Sequence, residues 1–230
     1  MTDIEYKSVK YSEEDKKEMF PLQKEEEISI VVIDSANLNN GTVFDTEDDK
    51  IINYINTQKS RGKFGKLFDF VITKKGKIYK ISPDGLSSNV LEFDLYSENI
   101  SYLLPKYCPQ TDGKVIPHTV VPDVAGITIL LECDSDESTN VDNGQISEAT
   151  EQTLEDLLAY YIKNYDVKIK HIIQRNRFPK LETEQKLIGP SMYKSNAVGF
   201  VLLTSYALAI ERNNTRISLV CNDEPIEFSK

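Results

Sequence analysis

Two short, nearly continuous apolar runs constrain the fold of this chain more than any other feature. They lie at residues 28–33 (ISIVVI) and 126–131 (GITILL). Runs of this length that are bounded by loop-forming residues are typical of strands buried in the centre of a sheet. We therefore expect the chain to build a sheet around these two strands.

Two other segments have the pattern of amphipathic helices. The first helix is predicted to begin at Thr46, where Asp49 forms an approximate capping box three residues further on. The second is predicted to begin near Ser147, because leucines and tyrosines follow at helical spacing. Each predicted helix follows one of the apolar runs, so strands and helices alternate along the chain.

A hairpin and one further strand complete the pattern. Residues 68–72 (FDFVI) are predicted to form a strand, and the turn at 74–77 (KKGK) leads into a second strand at 78–81. Another strand is predicted at 167–173. The order of strand, helix, hairpin, strand, helix and strand predicts an α/β fold with a mixed central β-sheet flanked by helices.

The two ends of the chain are interpreted as additions to a domain that spans residues 28–195. Residues 1–27 are rich in charge and are expected to form an extended N-terminal arm. Residues 196–230 are expected to form a C-terminal extension that packs on the domain or on a partner. Within that extension, the sequence predicts a helix at 197–212 and a strand at 216–221.

The charge balance excludes some classes of partner. Lys and Arg number 27 against 37 Asp and Glu, which gives a formal net charge of -10. A protein that binds nucleic acid or an anionic membrane needs clustered cations to neutralise phosphate. We therefore predict that neither nucleic acid nor a membrane is a partner, and that the charge serves solubility or a basic protein partner.

The cysteines and the apolar content bear on where the protein is made. Cys108, Cys133 and Cys221 match neither a disulfide framework nor a zinc knuckle, which suits a reducing compartment. Cys133 and Cys221 are predicted to be small core residues, and Cys108 the most exposed thiol. Because no stretch of about 18 apolar residues occurs and the first residues lack a signal-peptide pattern, we expect synthesis in the cytoplasm.

Several segments, taken in order, resemble the N-acetylmuramoyl-L-alanine amidase family, which includes phage lysins and peptidoglycan recognition proteins. The resemblance extends over residues 28–195 and is carried by the order and spacing of its parts. The matching segments are IVVIDSA at 30–36, FDFVI at 68–72 with its hairpin, GITI at 126–129, the helix at 147–158, KIKHIIQ at 168–174 and GPS at 189–191.

The resemblance also implies that the family's chemistry is missing. These amidases hold zinc with two histidines and a third ligand, leaving one position for the attacking water. Ile33, Gln174 and Gly189 stand at the three ligand positions, and Phe68 stands where the family has a tyrosine beside the scissile carbonyl. The implied protein is a degenerate member of the family, with no bound metal and no cofactor.

A different site could have been rebuilt from neighbouring residues. Asp34 and Asp69 each lie one residue from a family position and are weak candidates for a general acid and base. A one-residue offset in a strand points a side chain to the opposite face, so a structural role is the competing interpretation. His118 is either an ordinary loop residue or a substrate contact, and His171 is interpreted as a core or sheet-face imidazole.

The sequence therefore favours a non-catalytic structural or interaction protein with an amidase-like fold. We expect a component of a phage tail, a baseplate or a related contractile machine, incorporated into a virion and bound to other protein subunits. Two alternatives stay open at this point. One is a module that still binds peptidoglycan fragments, and the other is a hydrolase with a changed, zinc-independent site.

Overall fold

The computed structural model of the protein describes most of the predicted core. The described residues are 2–20, 22–23, 28, 30–39, 41–60, 67–87, 126–133, 146–165, 167, 172–174 and 217–228. None of the helices in these ranges is long and apolar enough to cross a membrane. The helix predicted at 197–212 lies outside the described residues.

The described residues form nine strands and three helices. The strands are β1 (Thr2–Lys10), β2 (Leu22–Gln23), β3 (Ile30–Ala36), β4 (Phe70–Ile72), β5 (Ile78–Lys80), β6 (Leu86–Ser87), β7 (Gly126–Glu132), β8 (Ile172–Gln174) and β9 (Ile217–Glu227). The helices are α1 (Glu13–Met19), α2 (Glu47–Ser60) and α3 (Glu148–Tyr165).

Seven of these strands form one mixed sheet in the order β8-β3-β7-β4-β5-β1-β9. The strands β8, β3, β7 and β4 run parallel to one another, and β5 is antiparallel to β4. The strand β1 lies between β5 and β9 and is parallel to both. The short strands β2 and β6 pair separately. The predicted α/β fold with a mixed central sheet is confirmed.

The two apolar runs lie at the centre of the sheet, as their composition predicts. Every residue of β7 is buried, and the side chains of Val31, Val32 and Ile33 in β3 have no solvent exposure. One apolar cluster, here called the α3 cluster, lies between the sheet and α3 and includes Ile33 and Leu157. The other, the α2 cluster, occupies the opposite face and includes residues of α1 and α2.

Both predicted helix starts are confirmed by their caps. The Thr46 hydroxyl accepts a hydrogen bond from the backbone N–H of Asp49 at 3.1 Å and donates to the Asp49 carboxylate at 2.6 Å. The Ser147 hydroxyl accepts from the N–H of Thr150 at 3.1 Å. Each cap satisfies an N–H group that the first turn of a helix leaves without an intrahelical partner.

The N-terminal segment differs from the extended arm that its charge predicted. Residues 2–10 form β1 inside the sheet, where Ile4 and Val9 are buried, and α1 places Met19 and Phe20 in the α2 cluster. In the first half of β1, charged residues alternate with apolar ones, so the charges lie on one side of the strand while the apolar residues contact the α3 cluster. The domain core therefore begins well before residue 28.

The C-terminal strand is longer than predicted and packs on the domain. Its register with β1 runs from the pair Thr2 and Ile217 to the pair Lys10 and Glu227, with one irregularity. Cys221 is exposed, so the prediction that it is a core residue is wrong. The reason is that β9 is an edge strand with part of its surface in solvent. Cys133 is buried, as predicted.

The predicted hairpin turn is held against the start of α3. The Thr150 hydroxyl donates to the carbonyl of Thr73 at 2.9 Å, and the Thr153 hydroxyl donates to the carbonyl of Gly76 at 2.9 Å. Gly76 has φ +74, and a Cβ there would lie 2.8 Å from Thr153 Oγ1 and 2.9 Å from the carbonyl oxygen of Ala149. The turn therefore needs glycine both for its backbone conformation and for its close contact with α3.

We expect Gly76→Ala to lower the free energy of unfolding by about 3 kcal/mol, because it combines a left-handed backbone with overpacking against α3. Gly41→Ala is the matched control, since Gly41 has φ +78 and no atom within 4 Å of the added Cβ. The control should lose only about 1 kcal/mol. Urea unfolding of the two variants measures the difference, and equal losses would contradict the close contact.

Candidate functional site

The carboxyl ends of the central parallel strands form the edge of the sheet where a ligand site is expected. Ala36 at the end of β3 pairs with Glu132 at the end of β7, and Ile72 of β4 pairs with Leu131. In open α/β sheets, ligands bind beyond the carboxyl ends of the strands. The side chains at this edge therefore show what chemistry the fold offers there.

A buried ion cluster occupies this edge. The Lys50 ammonium of α2 lies 2.9 and 3.1 Å from the two carboxylate oxygens of Glu132 and 3.2 Å from the Glu47 carboxylate. The side chain of Glu132 is fully buried and also accepts a hydrogen bond from the N–H of Lys74 at 2.9 Å. Lys75, which is exposed, lies 3.4 Å from Glu47 and adds a second positive charge.

Lys50 and Glu47 are held in their charged forms. Burial by itself would lower the pKa of Lys50, but the carboxylates of Glu132 and Glu47 outweigh burial and raise that pKa. Burial would raise the pKa of Glu47, but the Lys50 ammonium lowers it. A protonated amine is not a nucleophile, and a carboxylate held by a cation is a poor proton acceptor. The arrangement is therefore suited to joining α2 to β7 and the hairpin rather than to catalysis.

A second network connects α2 to the other half of the sheet. The Asp48 carboxylate accepts hydrogen bonds from the Tyr79 hydroxyl at 2.8 Å and the Lys7 ammonium at 2.6 Å. Burial would raise the pKa of Asp48, but these two donors lower it overall. Burial and the Asp48 charge raise the pKa of Tyr79, so its hydroxyl stays a donor. Asp48 thus links α2 to β1 and β5.

The structure pairs two of the positions that the family resemblance grouped together and sets a third apart. Ile33 pairs with Gln174 of β8 on one side and with Ile129 of β7 on the other. Its side chain is fully buried in the α3 cluster. Phe68 is also buried, but it belongs to the α2 cluster on the opposite face. Gly189 lies outside the described residues.

Asp69 braces two neighbouring strands. Its carboxylate accepts hydrogen bonds from the backbone N–H of Thr128 at 2.9 Å and from the Thr128 hydroxyl at 3.0 Å. The N–H of Asp69 donates in return to the same hydroxyl at 2.8 Å. Asp69 is buried, and its carbonyl accepts from the N–H of Ile81 at 2.7 Å. These contacts fix the entry of β4 against β7.

Asp34 lies elsewhere in the sheet. It is half-buried near the carboxyl end of β3, where its carboxylate accepts a hydrogen bond from the N–H of Ser35 at 2.8 Å. Asp34 pairs with Leu130, whereas Asp69 contacts Thr128, and β7 separates the two aspartates. Two strand spacings place their backbones roughly 10 Å apart. The structure does not bring them together as an acid and base pair.

The other candidates that the sequence offered are His118, His171 and Cys108. All three lie outside the described residues. Within the residues that the structure describes, no group of three His, Cys, Asp or Glu side chains could hold a metal ion.

Sequence reasoning did not single out Lys50 or Glu132. Glu132 ends an otherwise apolar strand, and Lys50 adjoins the apolar face of α2. A charged residue in an otherwise apolar strand or beside an apolar helix face is the sequence signal that could have indicated this buried ion pair.

Comparison with known proteins finds matches among solved structures. No protein-family model matches the chain, and no curated protein matches it. The chain is similar to the solved structure of the endolysine N-acetylmuramoyl-L-alanine amidase LysCS from Clostridium intestinale URNW, with 12% identity, 87% of this chain and 93% of that chain covered, and a TM-score of 0.46.

Two further solved structures show the same kind of likeness. The PlyG catalytic domain is 10% identical, with 90% of this chain and 94% of that chain covered and a TM-score of 0.47. The Drosophila peptidoglycan recognition protein PGRP-SA is 13% identical, with 68% and 73% covered and a TM-score of 0.39. The structural neighbours are thus N-acetylmuramoyl-L-alanine amidases and peptidoglycan recognition proteins.

We expect Glu132→Gln to lower the free energy of unfolding by about 3 kcal/mol, because it leaves the Lys50 ammonium buried without its main counter-charge. Lys10→Ala is the matched control, since the pair between Lys10 and Glu227 is exposed on both sides. Exposed pairs contribute about 1 kcal/mol at most. Urea unfolding at neutral pH compares the two variants, and an equally small loss in both would show that the cluster is dispensable.

A second comparison separates the two aspartates. Asp69→Ala should cost about 3 kcal/mol of unfolding free energy, because it removes a buried acceptor from the N–H and the hydroxyl of Thr128. Asp34→Ala should cost about 1 kcal/mol or less, because its side chain is partly solvated. Thermal unfolding with a chemical-denaturation check measures both, and a larger loss at Asp34 would reverse the assignment.

Proposed function

We propose that this chain is a non-catalytic protein with an amidase-like fold that acts by binding other proteins. In this proposal the protein is a component of a phage tail, a baseplate or a related contractile machine, and it is incorporated into the virion. The proposal rests on the side chains that stand where the resembled family has its zinc ligands and its tyrosine. In this chain, those that the structure describes are packed in the core.

Ile33 is the observation that carries the proposal. A zinc ligand must offer a lone pair toward an open position where water can bind. Ile33 offers no lone pair, and its side chain is fully buried among apolar residues beneath α3. Phe68 likewise has no hydroxyl and packs in the α2 cluster. At both positions the side chain contributes to core packing.

The candidates for a rebuilt site also have structural contacts. Asp69 is buried and hydrogen-bonded to Thr128, and Asp34 is separated from it by β7. A pair of carboxylates acting as acid and base must both reach one substrate bond. The register of the sheet therefore counts against a hydrolase that uses these two residues together.

Binding is the function that a stable fold without this chemistry best supports. A fold can host many functions, so the role depends on its surface rather than on its ancestry. The chain carries a net charge of -10, which favours basic protein surfaces over nucleic acid or anionic membranes as partners. The resemblance to a family that includes phage lysins supports the virion as the setting.

The proposal predicts less than about one-tenth of a zinc ion per purified chain, because a three-ligand protein site normally retains its metal. It also predicts no soluble product and no co-sedimentation when the chain is incubated with purified peptidoglycan. Elemental analysis and chromatography of the supernatant provide the measurements, and an active zinc amidase assayed in parallel serves as the positive control.

Each other outcome identifies a different function. Co-sedimentation without product would favour a peptidoglycan-binding module, which is the alternative that the family resemblance leaves open. Soluble product without zinc would indicate a changed hydrolase, and Asp34→Asn and Asp69→Asn would then be assayed separately. Stoichiometric zinc would overturn the assignment of Ile33 to a ligand position.

A further inference from the structure

The outer edge of β9 differs sharply between its two halves. From Ile217 to Asn222 the strand pairs with β1 without interruption. Beyond Asn222 the register shifts, and Glu224, Pro225 and Glu227 follow. Bulges, charges and proline are the devices by which proteins protect an exposed sheet edge from pairing with another strand. Only the second half of β9 carries them.

The first half is suited to pairing. Residues 217–222 (ISLVCN) contain no charge, proline or glycine. Val220 is 41% exposed, and Cys221 and Asn222 are also exposed. In the part of the chain that the structure describes, β1 is the only strand paired with β9. A straight, uncharged edge of this kind, about 20 Å long, is a template for another strand.

We propose that this edge binds the same edge of a second copy of the chain, antiparallel and about a two-fold axis at Val220. This arrangement sets Val220 opposite Val220 of the second copy. Leu219 then lies opposite Cys221, and Ser218 lies opposite Asn222. From 218 to 222, apolar residues thus meet apolar ones and polar residues meet polar ones, as favourable cross-strand pairs require.

The charge at the end of the segment selects this direction. Parallel, in-register pairing would place Glu224 of one copy beside Glu224 of the other, which like-charge repulsion disfavours. Antiparallel pairing about Val220 keeps these two charges at opposite ends of the interface.

This self-association goes beyond the proposed function, because it would hold whether or not the domain binds peptidoglycan. A segment of this length buries less area than the roughly 1,200–2,000 Å² of a standard interface, so the dimer should be weak in isolation. Sedimentation velocity of the full chain from about 10 μM to about 1 mM should show a monomer–dimer equilibrium.

The variant Val220→Lys places two like charges opposite each other at the axis. We expect it to weaken the dimer at least about tenfold without unfolding the chain, because the side chain at 220 is exposed in the monomer. Thr42→Lys, at an exposed position in a loop remote in sequence from β9, controls for the added charge and should leave the equilibrium unchanged.

Disulfide trapping tests the register directly. In a background with Cys108→Ser and Cys221→Ser, Val220→Cys should give a covalent dimer on mild oxidation, because opposed Cα atoms lie about 5 Å apart. The matched control is Ser218→Cys in the same background. Its two thiols would be offset by four residues, about 13 Å along the strands, which is too far for a disulfide.

The outcomes separate this inference from the proposed function. A covalent dimer with Cys at position 220 but not at 218, together with weaker self-association of Val220→Lys in the native background, supports the edge interface. A monomer throughout the concentration range, or equal trapping at both positions, overturns it. Neither result depends on zinc or on peptidoglycan, so the measurements proposed for the site stay independent.

Discussion

The contact between Lys50 and Glu132 is the interaction on which the arrangement of the sheet and its helices most depends. It joins residues 82 positions apart in the chain and lies where α2, the end of β7 and the hairpin meet. Burying these charges costs several kcal/mol each, and that cost is offset only while the geometry holds both partners in contact. The helix is thereby fixed in one position over the α2 cluster. The Asp48 network then fixes the same helix to β1 and β5.

Apart from these anchoring contacts, apolar side chains pack against both faces of the sheet. Ile33 lies under α3 and Phe68 under α2, so the core includes two of the positions that the sequence resemblance assigned to the family's chemistry. Asp69 lies at the start of β4, where its carboxylate braces Thr128. The interactions proposed for this domain would then use its surface and the edge of its sheet.

Local signals accounted for most of what the sequence predicted. Apolar runs located β3 and β7, and hydroxyl caps located the starts of α2 and α3, because each signal lies within a few neighbouring residues. The strand β1 was missed because its charged residues suggested a solvated arm, although Ile4 and Tyr6 alternate with them. Its partner strands β5 and β9 are distant in sequence, so no pattern within residues 2–10 indicates the pairing. The separation of Ile33 from Phe68 was equally hidden, because it depends on how the chain enters β4.

The pairing of β1 with β9 also determines how the domain would respond to mechanical force. The two strands are parallel, so residue 2 lies at one end of the pair and residue 227 at the other. A pull applied to these two points in opposite directions runs along the strands. The hydrogen bonds between β1 and β9 would then be sheared together instead of being unzipped one after another. A domain held at these two points would thus resist extension through the pairing of β1 with β9.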